Sequence, residues 1–381
     1  MMKSPQSPGA LQGVRVVDLS RVLAGPYCTQ MLADHGADVL KIEPPQGDET
    51  RGWGPPFDAD GTASYYLGLN RNKTGRTMDF TQGEARAELL ALLAEADVLV
   101  ENFKTGTLEK WGLGWEVLRE RFPRLVVCRI TGFGAEGPMG GLPGYDAAIQ
   151  ALAGIMSVNG EPEERGGEPL RVGLPVVDMV TGLNAALGIL LALQERQASG
   201  RGQLVDVALY DCGLSLLHPH AANHLLDGRP PRRSGNAHPN IYPYDTFATA
   251  TEPIFLAVGN DRQFATLCTL LGDAMLARED DFASNAKRSV HRVSLKQRLE
   301  ALLATHECGP LARQLIEAGV PCAPIQDVAT ALADAHTLHR GMVVSIGEAY
   351  RGVASPIKLG RTPASYRLEP PRLAASDDTG P

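Results

Sequence analysis

The sequence predicts an α/β protein with a mostly parallel, doubly wound sheet and a second, smaller α+β domain. In the first half of the chain, short β-branched runs alternate with amphipathic stretches of helical length, as in βαβ units. Near Asp227 the composition changes to a segment rich in Pro, Gly and Asn, which indicates a linker. A chain of 381 residues also exceeds what one hydrophobic core usually serves. Two domains are therefore expected.

The predicted elements of the sheet follow one another at short intervals. Residues 14–20 predict a strand, 24–35 a helix closed by Gly36, and 37–43 a second strand, which together form one βαβ unit. The further predicted strands are 77–80, 96–100, 125–131 and 203–209, and the further helices are 83–94 and a short one near Leu118. Ligands bind at the carboxyl ends of parallel strands, so the site is expected there.

The smaller domain is predicted over residues 227–335, after which the chain returns to the large domain. Residues 254–258 predict a short strand, and three helices are predicted over 262–271, 294–305 and 310–318. The large domain then consists of residues 1–226 and 336–381, and its last stretch, 374–381, is expected to be disordered.

The most apolar segment, residues 179–194, predicts a helix that is buried on most of its circumference. It contains no charged residue, and its leucines recur at helical spacing as Leu183, Leu187, Leu190 and Leu191. Its longest apolar run, 183–193, is too short and too interrupted by Asn184 to span a bilayer. With no membrane segment and no secretory signal in the sequence, a cytoplasmic protein is expected.

Composition and spacing exclude several classes of function. The net charge of −8 and a pI near 5.6 argue against a nucleic-acid-binding protein. The six cysteines show no CxxC pair or metal-ligand spacing, so reduced thiols are expected. His218, His220 and His224 cluster at a spacing that could bind a metal ion, but no carboxylate pattern accompanies them and Pro219 interrupts the helical register. No metal site is predicted.

Asp178 is the strongest candidate for chemistry, because it is a single charge carried into apolar surroundings. The residues before it are Leu174, Pro175, Val176 and Val177. One interpretation is a helix N-cap, worth about 1 kcal/mol. The other is covalent catalysis, since burial raises the basicity and nucleophilicity of a carboxylate while the helix dipole and amide donors keep it ionised.

Basic residues gather at the ends of predicted strands, although the protein is acidic overall. They are Lys41, Arg71, Lys73, Lys104 and Lys110. Each could be a solvated surface charge, but their repeated placement at the ligand-binding edge favours a polyphosphorylated ligand. Phe103, next to Asn102, could stack on a purine while Asn102 supplies a polar contact.

A glycine-rich segment follows the strand predicted over 125–131. Residues 132–137 fit G-x-G-x-x-G, a pattern that binds dinucleotides when a helix opens on the last glycine. Here prolines and further glycines follow and no helix is predicted before Tyr145, so a flexible lid or a loop of backbone donors is favoured. Asp146, at the start of that helix, could simply cap it.

In their order and spacing, these segments resemble the class III (CaiB/BaiF-type) CoA-transferase family over nearly the full length of the chain. The matching segments are GVRVVDLSRVLAGPYCTQMLADHGADVLKIEPP, LNRNKTGRTMDF, LVENFKTGTLEKWGL, ITGFGAEGP, GYDAAIQALAGIMSVNG, VGLPVVDMVTG, SGRGQLVDVALYD, GNAHPNIYPY and AGVPCAPI. Each segment is weak alone, but the set is specific. The nucleophile of that family is an Asp at the position of Asp178.

The resemblance implies an enzyme that transfers CoA between carboxylic acids. Asp178 would form an aspartyl-acyl anhydride and then an aspartyl-CoA thioester, with acyl-CoA and a small carboxylic acid as substrates and no cofactor bound covalently at rest. The resemblance further implies a Rossmann-like large domain and an interlocked homodimer. The CoA-binding positions that it implies are Val22, Ala24, Lys41, Lys73, Asn102, Phe103, Lys110 and Tyr145.

Departures from the family pattern narrow the expected substrate. Leu23 stands where formyl-CoA transferases carry Gln, and the GNAHPN loop, 235–240, replaces their run of glycines, so oxalate–formate exchange is not expected. Tyr145 stands where relatives that racemise 2-methylacyl-CoA carry His, which disfavours racemisation as the alternative activity. The loop and VGNDRQF, 258–264, resemble members that use succinyl-CoA and a dicarboxylate. A CoA-binding protein without turnover is a third reading, which the intact Asp178 segment disfavours.

Overall fold

The structure, a computed structural model, describes residues 9–373. The tail for which the sequence predicts disorder, 374–381, lies outside them. The strands are β1 (Arg15–Asp18), β2 (Asp38–Glu43), β3 (Lys73–Thr77), β4 (Val98–Glu101), β5 (Val126–Thr131), β6 (Leu204–Ala208), β7 (Tyr244–Phe247), β8 (Ile254–Ala257), β9 (Cys322–Pro324), β10 (Val343–Ile346) and β11 (Tyr350–Val353). The helices are α1 (Ala24–Asp34), α2 (Ser64–Leu67), α3 (Gly83–Glu95), α4 (Thr107–Lys110), α5 (Trp115–Arg121), α6 (Asp146–Leu152), α7 (Ile155–Val158), α8 (Val176–Ser199), α9 (Leu209–Ser215), α10 (His220–Asp227), α11 (Asp261–Leu270), α12 (Asn285–Val290), α13 (Arg292–Leu303), α14 (Cys308–Glu317), α15 (Val328–Ala333) and α16 (Ala335–His339).

The chain divides into two compact units. The first contains the described residues up to Ala153, then 172–216 and the described residues from Asp334 onward, and the second contains 154–171 and 217–333. The prediction assigns 154–171 and 217–226 to the large domain, whereas the structure groups both with the second unit. One contact within that unit is the hydrogen bond from the N–H of Gly235 to the carbonyl O of Gly160.

A six-stranded sheet forms the centre of the first unit. Its strand order is β3-β2-β1-β4-β5-β6, and all neighbouring strands are parallel. The predicted α/β class with a mostly parallel sheet is therefore confirmed. In this order the connections reverse direction between β1 and β4, and the carboxyl ends of the strands at such a point open the crevice in which ligands bind.

The strand predicted over 77–80 is wrong, because the third strand runs over Lys73–Thr77 instead. It pairs with β2 from Val39↔Lys73 to Glu43↔Thr77 and forms the edge of the sheet. An edge strand needs no apolar face, so its polar sequence KTGRT gave no strand signal. The apolar Met78 and Phe80, which suggested the strand, are buried just after it ends.

Helices cover both faces of the sheet. On one face Leu89 and Leu93 of α3 pack in a cluster with Val17 of β1 and Leu99 of β4. On the other face α1 and α8 pack against each other, and α8 also contacts β5 and β6. Because side chains alternate along a strand, Asp18 points to the α1 face while Val17 points to the α3 face.

Helix α8 is longer and less buried than the sequence predicts. Its buried side consists largely of small residues, including Gly182, Ala185 and Ala186, whereas the leucines expected in the core are exposed. Those leucines are Leu183, Leu187, Leu190 and Leu191, exposed by 44%, 54%, 40% and 63%. Small side chains allow the close approach of α1, since a Cβ on Gly182 would lie 2.6 Å from the carbonyl O of Ala24.

Within the described residues, α8 is the one helix long and apolar enough to cross a membrane by length and composition. The expectation that the apolar segment is too short to span therefore does not hold for the whole helix, which has 24 residues. The side of small residues packs against α1, β5 and β6, whereas the leucines on the other side are exposed. The core helix of a soluble protein can have the same length and composition.

The second unit has its own core. An antiparallel sheet in the order β7-β8-β9 packs against α11, α13 and α14, with Phe247, Leu256, Phe264 and Leu299 fully or almost fully buried. The strand and helices predicted between 254 and 318 are all present, with ends shifted by one or two residues. His220 and His224 lie on α10, where His224 Nδ1 contacts the carbonyl O of Arg229 at 2.9 Å.

Candidate active site

Asp178 lies in the first turn of α8 and does not cap it. The cap position is occupied by Pro175, and no side chain of α8 accepts a capping hydrogen bond, so the N-cap interpretation of Asp178 is wrong. Burial raises the pKa of the Asp178 carboxyl, and the negative charge of Asp146 raises it further, to about 7. Both influences disfavour the ionised form of this carboxyl and act against the helix dipole, which favours it.

A cavity of about 410 Å³ opens in front of Asp178 at the carboxyl ends of the strands. The predicted site residues that line it are Val22, Ala24, Asn102, Phe103, Tyr145 and Asp178. Leu23, Arg21, Glu49 and Lys104 line it as well. The volume lies in the range of ligand sites for small molecules. Lys110, at the end of α4, is exposed and is not part of the lining.

The sequence prediction that Lys41 and Lys73 bind CoA is not supported by their positions. Both side chains are almost completely buried and ion-paired, Lys41 to Asp48 at 3.2 Å and Lys73 to Asp18 at 3.1 Å. Burial lowers the pKa of Lys73 to about 8. Burial alone would raise the pKa of Asp18, but the ammonium groups beside it and its hydroxyl partners lower it to about 2. These lysines hold the interior together instead of facing a phosphate.

Arg71, the other basic residue of that segment, is also interior. Its guanidinium forms two hydrogen bonds to the Asp34 carboxylate, at 3.0 and 2.6 Å, and its side chain is 3% exposed. Of the basic residues that the sequence analysis gathers at strand ends, Lys104 is the one whose side chain is exposed at the cavity. The sequence around Arg71 resembles a phosphate-binding site because buried ion pairs and phosphate contacts both use arginine and lysine.

The loop between β1 and α1 is fixed from several sides. The Asn102 side chain forms two hydrogen bonds to the backbone of Arg21. Its Oδ1 accepts from the Arg21 N–H at 2.8 Å, and its Nδ2 donates to the Arg21 carbonyl O at 2.7 Å. Lys41 donates to the carbonyl O of Ser20 at 2.9 Å. The next residue, Val22, has φ of +70°, a conformation that a β-branched residue adopts only at a cost. Asn102 therefore uses one acceptor and one donor position of its amide to hold this loop, and it also lines the cavity.

Helix α1 begins directly after this strained loop. Leu23 is its N-cap and provides no side-chain hydrogen bond, so the first-turn amides of Ala24 and Gly25 have no cap. Ala24 lines the cavity that Asp178 also lines. The arrangement places the positive end of a helix next to the candidate nucleophile, where negative charge on an oxygen would be stabilised.

The glycine-rich segment after β5 forms another part of the cavity wall. No helix starts between Thr131 and Asp146, as the sequence analysis expects. A Cβ on Gly132 would lie 2.7 Å from the backbone N of Gly144, so the two ends of the loop touch through their backbones. The segment is a closed loop that lines a site, not a dinucleotide-binding turn.

Sequence reasoning missed Tyr65 of α2. Burial and the charges of Asp178, Asp146 and Asp48 raise the pKa of its phenol to about 12, which places the phenol in the electrostatic environment of the candidate nucleophile. Trp53 packs edge-to-face on its ring at 5.2 Å. Nothing in the segment SYYLGLN distinguishes this tyrosine from its neighbour Tyr66, which is buried in the interior.

A second cavity, of about 620 Å³, is larger but chemically unsuited to an anionic ligand. Arg129 is part of its lining and forms ion pairs with the lining residue Glu109 at 3.0 Å and with Glu101, outside the lining, at 3.1 Å. The other carboxylates of its lining are Glu116, Glu136 and Asp206. None of the predicted site residues lines it. Size alone therefore does not identify the site. Over residues 9–373, no group of three or more His, Cys, Asp or Glu side chains is arranged to hold a metal ion.

Comparison with known proteins gives matches over almost the whole chain. The family model described as CoA-transferase family III matches residues 11–377. The chain is 41% identical to the succinate–glutarate CoA-transferase of Agrobacterium fabrum, over 98% of this chain and 95% of that protein. It is 39% identical to the succinyl-CoA:mesaconate CoA-transferase of Haloarcula hispanica, over 93% and 91% of the two chains. The crystal structure of a CaiB/BaiF family protein from Brucella suis superimposes with a TM-score of 0.85 at 42% identity, covering 96% of this chain and 97% of the other.

Proposed function

Because the chain belongs to CoA-transferase family III and is a CoA-transferase, we propose that Asp178 is the nucleophile of the transfer. The observation that carries the proposal is the position of its carboxylate, which lies in the first turn of α8 and lines the 410 Å³ cavity. No basic side chain of the described residues forms an ion pair with it. An unpaired, partly desolvated carboxylate is suited to covalent catalysis.

The transfer proceeds in two symmetrical halves. An Asp178 oxygen attacks the thioester carbonyl of the donor, the C–S bond breaks, and CoA leaves as a thiolate, which gives a mixed anhydride. The thiolate then attacks the aspartyl carbonyl and releases the donor acid as a carboxylate, which leaves an aspartyl-CoA thioester. The acceptor carboxylate attacks this thioester, the thiolate leaves again, and its attack on the acceptor acyl carbon releases the new acyl-CoA. Asp178 is regenerated and no proton is consumed.

Each tetrahedral intermediate carries an oxyanion that needs donors. The uncapped first-turn amides of α1, at Ala24 and Gly25, supply donors beside the cavity, and the strained Val22 loop fixes their position. Lys104 and Arg21 place positive charge on the cavity lining, where the phosphates of CoA need it. Phe103 and Tyr145 contribute aromatic surface to the same cavity.

The substrates are succinyl-CoA and a second dicarboxylic acid. This assignment is supported by the two relatives above, a succinate–glutarate CoA-transferase and a succinyl-CoA:mesaconate CoA-transferase, which share the succinyl group but differ in the partner acid. The working form is an interlocked homodimer in the cytoplasm. The exposed apolar stripe on α8 supports the homodimer. The six unpaired cysteines support the cytoplasm, where thiols stay reduced.

The proposal is tested by trapping the acyl-enzyme. Incubation with succinyl-CoA and hydroxylamine, followed by peptide mass spectrometry, is expected to place a hydroxamate on Asp178. Asp178→Ala is expected to lose both the adduct and CoA exchange across a panel of dicarboxylic acids. Full exchange by Asp178→Ala would exclude Asp178 as the nucleophile, and deuterium uptake at the α-carbon without any acceptor acid would indicate a racemase instead.

A further inference from the structure

Asp146 and Gln150 lie one turn apart on α6 and both reach the start of α8. Asp146 Oδ2 accepts hydrogen bonds from the backbone N–H of Val177 at 2.8 Å and of Asp178 at 3.1 Å. Its Oδ1 accepts from Gln150 Nε2 at 2.6 Å. Asp146 and Gln150 are 7% and 0% exposed. The carboxylate therefore caps α8 from a neighbouring helix, in place of the cap that Pro175 cannot provide.

Gln150 extends the same contact to the segment before α8. Its Oε1 accepts from the N–H of Val172 at 2.8 Å, and its Nε2 also donates to the carbonyl O of Leu174 at 3.2 Å. Together the two side chains fix the backbone on both sides of Pro175. The backbone N–H of Asp178 itself donates to Asp146, so the backbone that carries the Asp178 side chain is fixed.

A neutral side chain with one acceptor oxygen could accept from the N–H groups of Val177 and Asp178, at the loss of the hydrogen bond from Gln150. Asn and Ser cap helices about as effectively as Asp does, so the geometry alone does not require a charge. A charge at Asp146 brings a second carboxylate next to the partly desolvated Asp178, which disfavours ionisation of Asp178 in the folded state. A buried repulsion of this kind is often found where the chemistry depends on it.

We propose that Asp146 is a positioning residue of the transfer reaction, which fixes the Asp178 backbone and through its charge makes the Asp178 carboxylate a stronger nucleophile. The inference rests on the proposed role of Asp178. It goes beyond that role because it assigns the basicity of the nucleophile to a residue that does not contact the substrate.

The electrostatics of the site are consistent with this assignment. Burial and the Asp146 charge together raise the pKa of Asp178 to about 7, and no other group of the described residues contributes a resolved effect. From α2, Tyr65 faces the pair with a pKa raised to about 12, so it is neutral near pH 7. The other charged or titratable groups on the cavity lining are Arg21, Glu49, Lys104 and Tyr145. A carboxyl whose pKa is raised in this way loses reactivity as the pH falls through 7, because its protonated form cannot attack a thioester.

The test removes the charge of Asp146. Asn keeps one acceptor oxygen for the N–H groups of Val177 and Asp178, but its NH₂ group then faces Gln150 Nε2, so the hydrogen bond from Gln150 is lost. In Asp146→Asn the pKa of Asp178 is expected to fall by about one unit, because a like charge at close range typically shifts a carboxyl by that order. The first measurement is the rate at which succinyl-CoA and hydroxylamine modify Asp178, taken across pH 5 to 9. Its acid limb should move to lower pH by about one unit, and its plateau rate should fall about tenfold or less.

The second measurement needs no turnover. A ¹³C NMR titration of protein labelled at its aspartate carboxyl carbons, assigned by difference from Asp178→Asn, is expected to show the same shift. Asp146→Ser, which keeps a hydroxyl acceptor for α8, serves as a second charge-free variant if Asp146→Asn does not fold. Gln150→Ala is the matched control, because it loosens the same backbone without removing a charge and should leave the acid limb in place.

The outcomes separate the two proposals. A wild-type protein that forms no adduct on Asp178 overturns the proposed function, whatever Asp146 does. A wild-type protein that forms the adduct, combined with an unchanged NMR pKa and acid limb in both Asp146 variants, overturns only the inference. An equal shift in Gln150→Ala would also overturn it, because a purely structural role would then account for the effect.

Discussion

At the scale of single residues, Asn102 holds the loop between β1 and α1 and also lines the cavity. The family resemblance assigns it to CoA, yet both ends of its amide bind the backbone of Arg21. The residue that follows, Val22, is held at φ of +70° and lines the cavity. Strain of this kind persists only when the surroundings fix it. Asn102 is therefore expected to act through the loop and through α1, which begins two residues after Val22.

Asn102→Ala is expected to lower kcat about tenfold or more while leaving the KM for succinyl-CoA nearly unchanged. The two hydrogen bonds of Asn102 hold a conformation that costs about 1–3 kcal/mol, and a factor of ten corresponds to about 1.4 kcal/mol. Val22→Gly is the control, because glycine adopts a positive φ freely and should restore part of the rate in the double variant. Steady-state kinetics of all three variants check this. A rise in KM with unchanged kcat would instead indicate direct contact between Asn102 and CoA.

At the scale of elements, the packing of α1 against α8 sets the distance between the candidate oxyanion donors and the candidate nucleophile. Ala24 begins α1, Asp178 lies in the first turn of α8, and both line one cavity. The helices approach closely at Gly182, where a Cβ would lie 2.6 Å from the carbonyl O of Ala24 and 3.0 Å from Tyr27 Cδ1. The carbonyl O of Ala24 belongs to the backbone, so it cannot move aside by a side-chain rotation.

Gly182→Ala is expected to destabilise the fold by about 1–3 kcal/mol and to lower the rate of adduct formation, because the two helices must separate. Gly188→Ala on the same helix is the matched control. Its Cβ would meet Val205 Cγ1 at 2.6 Å, a side-chain atom of β6, and not the start of α1. Denaturant unfolding and the hydroxylamine assay compare the two. Equal loss of activity in both variants, at equal loss of stability, would contradict the spacing argument.

At the scale of the whole molecule, the exposed face of α8 marks where the proposed homodimer would bury apolar surface. Leu183, Leu187, Leu190 and Leu191 form one side of this helix and are all at least 40% exposed. Contiguous apolar surface on a protein commonly marks an interface. The helical spacing of these leucines predicts that they are buried, and a second copy of the chain packed on them would bury them.

Leu187→Glu is expected to destabilise the dimer, because it places a charge in the middle of the leucine stripe. Sedimentation velocity over a range of concentrations measures the change. Ala87→Glu is the control, since it adds the same charge at an exposed position of α3. A dimer of unchanged stability in Leu187→Glu, or a monomeric wild-type protein, would contradict the proposed use of this face.

The sequence by itself determined the alternation of strands and helices, the parallel sheet and the prominence of Asp178. These features depend on hydrophobic period and on a lone charge in an apolar segment, both of which are local properties of the chain. Local pattern also predicted the glycine-rich loop correctly, because several glycines and prolines close together disfavour a helix. The local pattern did not predict β3, because an edge strand needs no apolar face. It also did not predict the exposure of the α8 leucines, because an apolar stripe does not reveal what covers it.

Only the tertiary structure decided which charged residues face the cavity and which face each other. Lys41, Lys73 and Arg71 look like ligand contacts in sequence, but their partners Asp48, Asp18 and Asp34 are brought to them by the fold. The same is true of Asp146, which caps a helix 30 residues further along the chain, and of Tyr65, which only its surroundings distinguish. A side chain's pKa and its availability to a ligand depend on what surrounds it in space, and that information is not contained in the spacing of residues along the chain.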